Sequence, residues 1–107
     1  MQKFLALLFF VGEIAFAQTP HPCAFEAGKQ AQRLLSFYIN DKDERIIIDK
    51  KVAVLSPIRN PGNKTQSFDV LEVWGSVYKA RYRMRFLYAQ MENCVLMGEE
   101  IMELASL

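Results

Sequence analysis

The chain has 107 residues, with 13 basic and 12 acidic side chains and a net charge of +1. A chain this close to neutral has no overall field to attract nucleic acid or an anionic membrane, so any electrostatic function has to be local. The length suits one small domain with a modest hydrophobic core.

The first seventeen residues have the pattern of a secretory signal peptide. Lys3 supplies a positive start, residues 4–11 form an unbroken apolar run, and Ala15-Phe16-Ala17 form a small-x-small cleavage site. The apolar run is too short to span a bilayer. We expect a signal at 1–17, an extended leader at 18–22 and one domain at 23–107, exported to the periplasm or the extracellular space. We expect no stable membrane insertion after cleavage, and the alternative is an N-terminal anchor that stays attached.

The two cysteines, Cys23 and Cys94, lie in the exported part of the chain. In a small exported domain two cysteines most simply form one disulfide, here closing about 70 residues. The alternative is a pair of free thiols that bind metal or react as a redox pair. They lack a CxxC spacing and are accompanied by a single histidine, so we predict neither a metal site nor a cofactor. That histidine, His21, stands between two prolines and is predicted to be a solvated residue of the leader.

Residues 23–39 have the periodicity of a helix. Apolar and small residues recur at spacings of three and four and form one stripe: Ala24, Ala27, Gly28, Ala31, Leu34, Leu35 and Tyr38. Gly28 costs helix propensity, which predicts a close approach of the sheet at that point. The alternative, an amphipathic membrane helix, needs a strongly basic polar face that this segment lacks.

From residue 45 onward the hydrophobic period changes from 3.6 to 2, which indicates β-structure. Residues 45–49 and 52–55 form one bent strand or two short ones, and Pro57 ends the ladder or lies at an edge. Residues 60–65 are rich in turn formers and contain a glycosylation sequon at Asn63, whose use depends on the source of the protein. A second turn is predicted at residues 91–93, and the last strand at 95–104.

Residues 67–90 look like strand throughout but are too long for one strand of a small domain. We predict a hairpin turn at Gly75-Ser76, since Gly-x suits a type II′ turn. This register pairs Glu72 with Lys79 and separates two faces. The predicted core face carries Leu71, Val73, Tyr78, Ala80, Tyr82, Met84, Phe86 and Tyr88. The opposite face carries Phe68, Val70, Glu72, Trp74, Lys79, Arg81, Arg83 and Arg85.

The predicted fold class is therefore α+β, with one N-terminal helix packed on a roughly four-stranded antiparallel meander and stapled by one disulfide. The order of elements resembles that of cystatin-like folds. Because no cystatin inhibitory motif is present, the resemblance implies no function.

No constellation of residues indicates catalysis. The single histidine lies in the leader, the adjacent Glu99 and Glu100 point to opposite faces of a strand, and no phosphate loop or HExxH motif occurs. We therefore expect a protein that is not an enzyme. The remaining catalytic alternative is a small cone-shaped α+β enzyme with one buried carboxylate.

The best functional candidate is the sheet face that combines aromatic and arginine side chains: Phe68, Trp74, Arg81, Arg83 and Arg85. Such residues are typical of the centres of protein interfaces. We predict a small exported protein-binding domain, of accessory or inhibitor type, whose partner is another exported or surface protein and not nucleic acid. Its oligomeric state stays open.

Two alternatives to a binding face remain. In the first, the same strand faces solvent and its arginines pair with Glu100 or Glu103. In the second, the protein is a carrier of a small ligand or lipid, with a core or pocket between helix and sheet formed by Gly28, Ala31, Leu35, Tyr82, Met84, Phe86 and Tyr88.

Overall fold

The computed structural model describes residues 19–40 and 45–105. Within them, helix α1 (Ala24–Ile39) precedes four strands: β1 (Ile46–Asn60), β2 (Asn63–Val77), β3 (Ala80–Ala89) and β4 (Leu96–Leu104). The strands form one antiparallel sheet in the order β1-β2-β3-β4. The predicted α+β class, with one helix on a four-stranded meander, is confirmed. The predicted signal peptide lies outside the described residues, so that boundary stays a prediction.

Helix α1 buries one stripe against the sheet. Ala27, Ala31 and Leu35 are fully buried at a spacing of four, as the sequence period predicts. The helix ends at Asn40, which adopts the left-handed conformation (φ 54°) that commonly closes helices. Residues 41–44, which follow the helix, lie outside the described residues. In the described segments no helix has both the length and the apolar character needed to cross a membrane.

The main core lies between α1 and the face of the sheet that α1 covers. Its largest fully buried side chains are Leu35, Leu71, Val73, Met84 and Phe86. The predicted disulfide is confirmed at the end of this core. Cys23 bonds to Cys94 with a Cα–Cα distance of 5.6 Å, which ties the start of α1 to the segment before β4.

Strand β1 is a long, irregular edge strand. Its register against β2 shifts between Ile48 and Val52 and again between Leu55 and Ile58, and Pro57 falls in the second shift. A proline is tolerated there because an outer strand with an interrupted ladder can omit a hydrogen-bond donor. The predicted loop at 60–65 is shorter than expected, since β2 already begins at Asn63 and only residues 61 and 62 form the turn.

The predicted hairpin turn at Gly75-Ser76 is wrong by three residues. Both residues belong to β2, and the chain reverses at Tyr78-Lys79, between the paired residues Val77 and Ala80. Tyr78 adopts a positive φ of 55°, which is uncommon for a bulky side chain. The guanidinium carbon of Arg45 lies 3.7 Å from the centre of the Tyr78 ring, so a cation–π contact from outside the hairpin accompanies this turn.

The predicted face assignment nevertheless holds, because moving the turn by three residues shifts the register by six. Leu71 pairs with Phe86 instead of Ala80, and an even shift keeps the residues that remain within the strands on their predicted faces. Tyr78, predicted on the core face, is an exception, because it lies in the turn and is 65 % exposed. The predicted pair of Glu72 with Lys79 is wrong, and Glu72 lies opposite Arg85.

The close approach between helix and sheet occurs at Gly75 and not at the predicted Gly28. A Cβ added at Gly75 would lie 3.0 Å from Leu35 Cδ2 and 3.2 Å from both Ile48 Cδ1 and Met84 Cε, whereas one added at Gly28 would meet nothing within 4 Å. Gly75 therefore lies inside a strand at a point of close packing, and its resemblance to a turn glycine misplaced the hairpin.

Candidate functional site

The face of the sheet opposite α1 carries three arginines from β3, and we call it the arginine face. Cross-strand pairing places these arginines in three adjacent rows, each running from β2 through β3 to β4: Ser76–Arg81–Leu104, Trp74–Arg83–Met102 and Glu72–Arg85–Glu100. Alternation along each strand aims all of these side chains away from the helix. Arg85 lies opposite Glu100, one of the two carboxylates predicted from the sequence as partners of the arginines.

Glu72 is the centre of a hydrogen-bonded network on the arginine face. Its carboxylate accepts hydrogen bonds from Arg85 Nε at 2.8 Å and from Trp74 Nε1 at 3.0 Å, while Arg83 Nε lies 3.9 Å away. Burial pushes the pKa of Glu72 upward, but hydrogen bonds from Arg85 and Trp74 and the charges of Arg85 and Arg83 outweigh burial and lower it from its ordinary value. Glu72 is therefore ionised at neutral pH and holds Trp74 and Arg85 in place.

Arg81 also has partners within the chain. It donates to Ser76 Oγ at 2.7 Å and to the carboxylate of Asp49, with the shorter of the two contacts at 3.2 Å. Its guanidinium carbon lies 5.1 Å from the centre of the Trp74 ring, within the range of a cation–π contact. Arg81 and Arg85 therefore both have acceptors within the chain, but these are Asp49 and Glu72 and not the predicted Glu100 or Glu103.

Arg83 differs from its two neighbours. In the described part of the chain its Nε is buried and has no hydrogen-bond partner. The carboxylate of Glu72, 3.9 Å away, is beyond hydrogen-bond length, and 24 % of the Arg83 side chain remains exposed. Leaving a buried donor unpaired costs about 1–3 kcal/mol, more for a charged group. Arg83 is thus a partly desolvated cation with a loose ion pair to Glu72 and one buried donor, Nε, that no group of the described chain accepts from.

The apolar side chains around Arg83 are fewer than the sequence pattern suggests. Phe68 and Val70 lie on the arginine face, but only 6 % and 5 % of their surfaces are accessible. The expected contiguous patch of Phe68, Val70 and Trp74 therefore does not form. The accessible apolar groups near the arginines are Met102 and Leu104 on β4, 45 % and 38 % exposed, with a half-buried Trp74 on β2.

The residues predicted to line a core or pocket fall into two groups in the structure. Six of them are buried together in the core between helix and sheet: Ala31, Leu35, Tyr82, Met84, Phe86 and Tyr88. Burial raises the pKa of Tyr88, and the charges of Glu26 and Glu99 raise it further. Gly28 lies apart from them and lines an open surface groove of about 400 Å³ between α1 and β1.

Sequence reasoning missed the role of His21. The predicted solvated leader residue is partly buried, with its Nε2 2.9 Å from Asp69 Oδ2 and its Nδ1 accepting the backbone N–H of Cys23 at 3.0 Å. Because Nδ1 accepts, Nε2 carries the proton and donates it to Asp69. Both ring nitrogens are occupied by the protein, so His21 positions the leader and is not a free base. A histidine two residues before a cysteine is too weak a signal to reveal this contact 48 residues away.

The described residues contain no group of three or more histidine, cysteine, aspartate or glutamate side chains placed to hold a metal ion. Comparison with family models, with curated proteins and with solved structures finds no match for this chain. The resemblance to cystatin-like folds therefore stays at the order of the elements, and the site is argued from its geometry.

Proposed function

We propose that this chain is a small exported protein-binding domain, of accessory or inhibitor type, whose binding surface is the arginine face. Export is part of the proposal, supported by the signal-like sequence at 1–17 and compatible with the Cys23–Cys94 disulfide. The partner is another exported or surface protein that offers an acidic side chain to Arg83.

The observation that carries the proposal is Arg83, which is partly exposed, lies 3.9 Å from Glu72 in a loose ion pair and keeps an Nε without a hydrogen bond in the described chain. A partner carboxylate could accept, in the bidentate geometry that arginine favours, from the part of the Arg83 side chain that stays accessible, since 24 % of this side chain is exposed. The neighbours directly across the strands are Trp74 and the exposed Met102, both of residue types enriched at interface centres. The row Trp74–Arg83–Met102 therefore places a partly desolvated charge between two apolar side chains.

The carrier alternative is less well supported. It requires space between α1 and the sheet, yet Leu35, Met84 and Phe86 have no accessible surface. These side chains pack on one another where a ligand would have to lie. The arginine face requires no such rearrangement.

A crosslinking pull-down from the native exported fraction tests the proposal. We expect the intact protein to capture a defined partner, and Trp74→Ala and Arg83→Glu each to lose it. Arg59→Gln is the matched control, because Arg59 is an exposed arginine at the far end of the edge strand β1. All variants should remain folded, which a cooperative thermal unfolding transition of each variant shows. Undiminished capture of the same partner by Trp74→Ala and Arg83→Glu would contradict the arginine face as the site.

A further inference from the structure

We infer that the outer edge of β4, which pairs with no other strand among residues 19–40 and 45–105, is the docking edge of the sheet, and that its occupant is an extended segment of another polypeptide carrying lysine or arginine, added as a fifth strand. This inference names the docking mode and chemistry of the partner and rests on the proposed function in one respect, since both require a protein partner. Backbone hydrogen bonds would supply the affinity and the charges would select the segment.

The two edges of the sheet are built differently. At the β1 edge the register shifts three times, Pro57 removes a donor, and Lys50 and Lys51 follow one another within the first shift. Proline, bulges and lysine are the devices by which proteins prevent an edge strand from pairing with another chain. The β1 edge is therefore protected against strand addition.

Strand β4 carries fewer of these devices, with one register shift near its start, between the pairs Leu87–Gly98 and Tyr88–Leu96. Its sequence, LMGEEIMEL, contains no proline and no basic residue, and its register against β3 is regular from Arg81–Leu104 to Leu87–Gly98. An outer strand of this kind presents a regular row of backbone N–H and C=O groups along its free edge. The β4 edge therefore has the geometry that an added strand needs.

Both faces of β4 are also accessible. Helix α1 packs over β1, β2 and β3, and it reaches β4 through two exposed hydrogen bonds, from Gln30 to Glu99 and from Tyr38 to Glu103. Met97 and Met102 are 46 % and 45 % exposed. An added strand would cover these side chains and extend the row that joins Met102 to Arg83 and Trp74, so the docking edge is continuous with the arginine face.

The charge of β4 selects the occupant. Glu99 and Glu103 lie on the helix side and Glu100 on the arginine face, so an added strand meets carboxylates on both faces. A second copy of β4 would bring three carboxylates from each chain together, and like charges facing each other across strands are destabilising. Opposite-charge pairs contribute roughly 0.2–1 kcal/mol each, which favours a segment with basic residues.

Backbone amide exchange tests the inference. The probes are two synthetic nine-residue peptides, one alternating lysine with valine and the other alternating glutamate with valine. We expect the lysine peptide to slow exchange at every second amide of β4, the signature of strand addition, and to leave the amides of β1 unchanged. The glutamate peptide should bind at least about tenfold more weakly, the factor that corresponds to roughly 1.4 kcal/mol.

Charge reversal gives the matched variant. Glu99→Lys with Glu103→Lys should invert the preference of β4 for the two peptides, and Glu99→Gln with Glu103→Gln should remove the preference without reversing it. Lys50→Glu with Lys51→Glu on β1 is the control and should change neither. Absence of alternating protection in β4, protection of β1 instead, or pairing of wild-type copies through β4 would overturn the inference.

The two proposals can fail separately. Arg83→Glu and Trp74→Ala should leave the alternating protection of β4 intact, because neither side chain belongs to the β4 edge. If these variants still capture the native partner while β4 still binds the lysine peptide, the proposed function fails at the arginine face and the docking edge stands. In the opposite result, the lysine peptide gives no alternating protection in β4 while Arg83→Glu still abolishes capture. The docking edge then fails and the proposed function stands.

Discussion

The imidazole of His21 lies 2.9 Å from the carboxylate of Asp69, and this contact fastens the leader to the second strand. Asp69 also accepts from Gln90 at 2.9 Å, so β2, the end of β3 and the leader meet at one carboxylate. The second ring nitrogen of His21 accepts the N–H of Cys23, next to the disulfide. The start of α1 is therefore held by a covalent bond and a hydrogen-bonded network together.

Replacing His21 should weaken the domain. His21→Ala removes a hydrogen bond to Asp69 and the acceptor for the Cys23 N–H, and we expect the free energy of unfolding to fall by about 1–2 kcal/mol. Urea unfolding monitored by circular dichroism measures the change. Thr19→Ala, at a nearby exposed position, serves as the control and should leave stability unaltered. A His21→Ala variant as stable as the wild type would show that the leader contact does not stabilise the fold.

The domain should lose stability in acid through two carboxylates. Hydrogen bonds from His21 and Gln90 lower the pKa of Asp69 from 3.8, and the pKa of Glu72 is lowered from 4.5 because its hydrogen bonds and neighbouring charges outweigh its burial. A lowered pKa in the folded state means that the contribution is complete above the ordinary pKa and disappears as pH falls through the folded-state value.

Stability should therefore decline as pH falls below about 4.5, first through Glu72 and then through Asp69. Unfolding free energies measured between pH 2 and 7 should show a shallower decline for Asp69→Asn and for Glu72→Gln than for the wild type. Slopes identical to that of the wild type would mean that these two carboxylates are not the groups that titrate.

Two glycines should respond in opposite ways to alanine. Gly28→Ala places a methyl group in open space and removes the helix penalty of glycine, so stability should rise by about 0.5–1 kcal/mol. Gly75→Ala drives a methyl group against Leu35, Ile48 and Met84, so stability should fall by about 1–2 kcal/mol. Thermal unfolding of the two variants under identical conditions checks both signs. A stabilising Gly75→Ala would show that these side chains move aside without cost.

Removing the disulfide should cost a large part of the stability of this small domain. The bridge joins residues 71 positions apart, and loop-closure entropy for such a length corresponds to about 4 kcal/mol. We expect Cys23→Ala with Cys94→Ala to show this loss in urea unfolding, and reduction of the wild type to reproduce it. Thiol titration of the unfolded, unreduced protein should detect no free thiol, and two reactive thiols would contradict the bridge.

Local pattern was sufficient for the elements and for the two faces of the sheet. Helix α1 was predicted because its stripe repeats every three to four residues, and the core face of β2 and β3 because strand side chains alternate. The position of the hairpin was not predictable. Gly75 resembles a turn residue and is used for packing, while Tyr78 turns the chain although its residue type disfavours a positive φ.

For the candidate site, the sequence by itself determined that the three arginines lie on one face of the sheet, since residues two apart on a strand share a face. Only the tertiary structure decided which of them has an acceptor, because that depends on which carboxylate the register brings across from another strand. Asp49 reaches Arg81 and Glu72 reaches Arg85, while Arg83 is left with a buried, unpaired Nε. Local periodicity specifies the face to which each side chain points. The partner that it meets from a distant segment depends on the positions of turns and bulges, and a shift of one residue changes that partner.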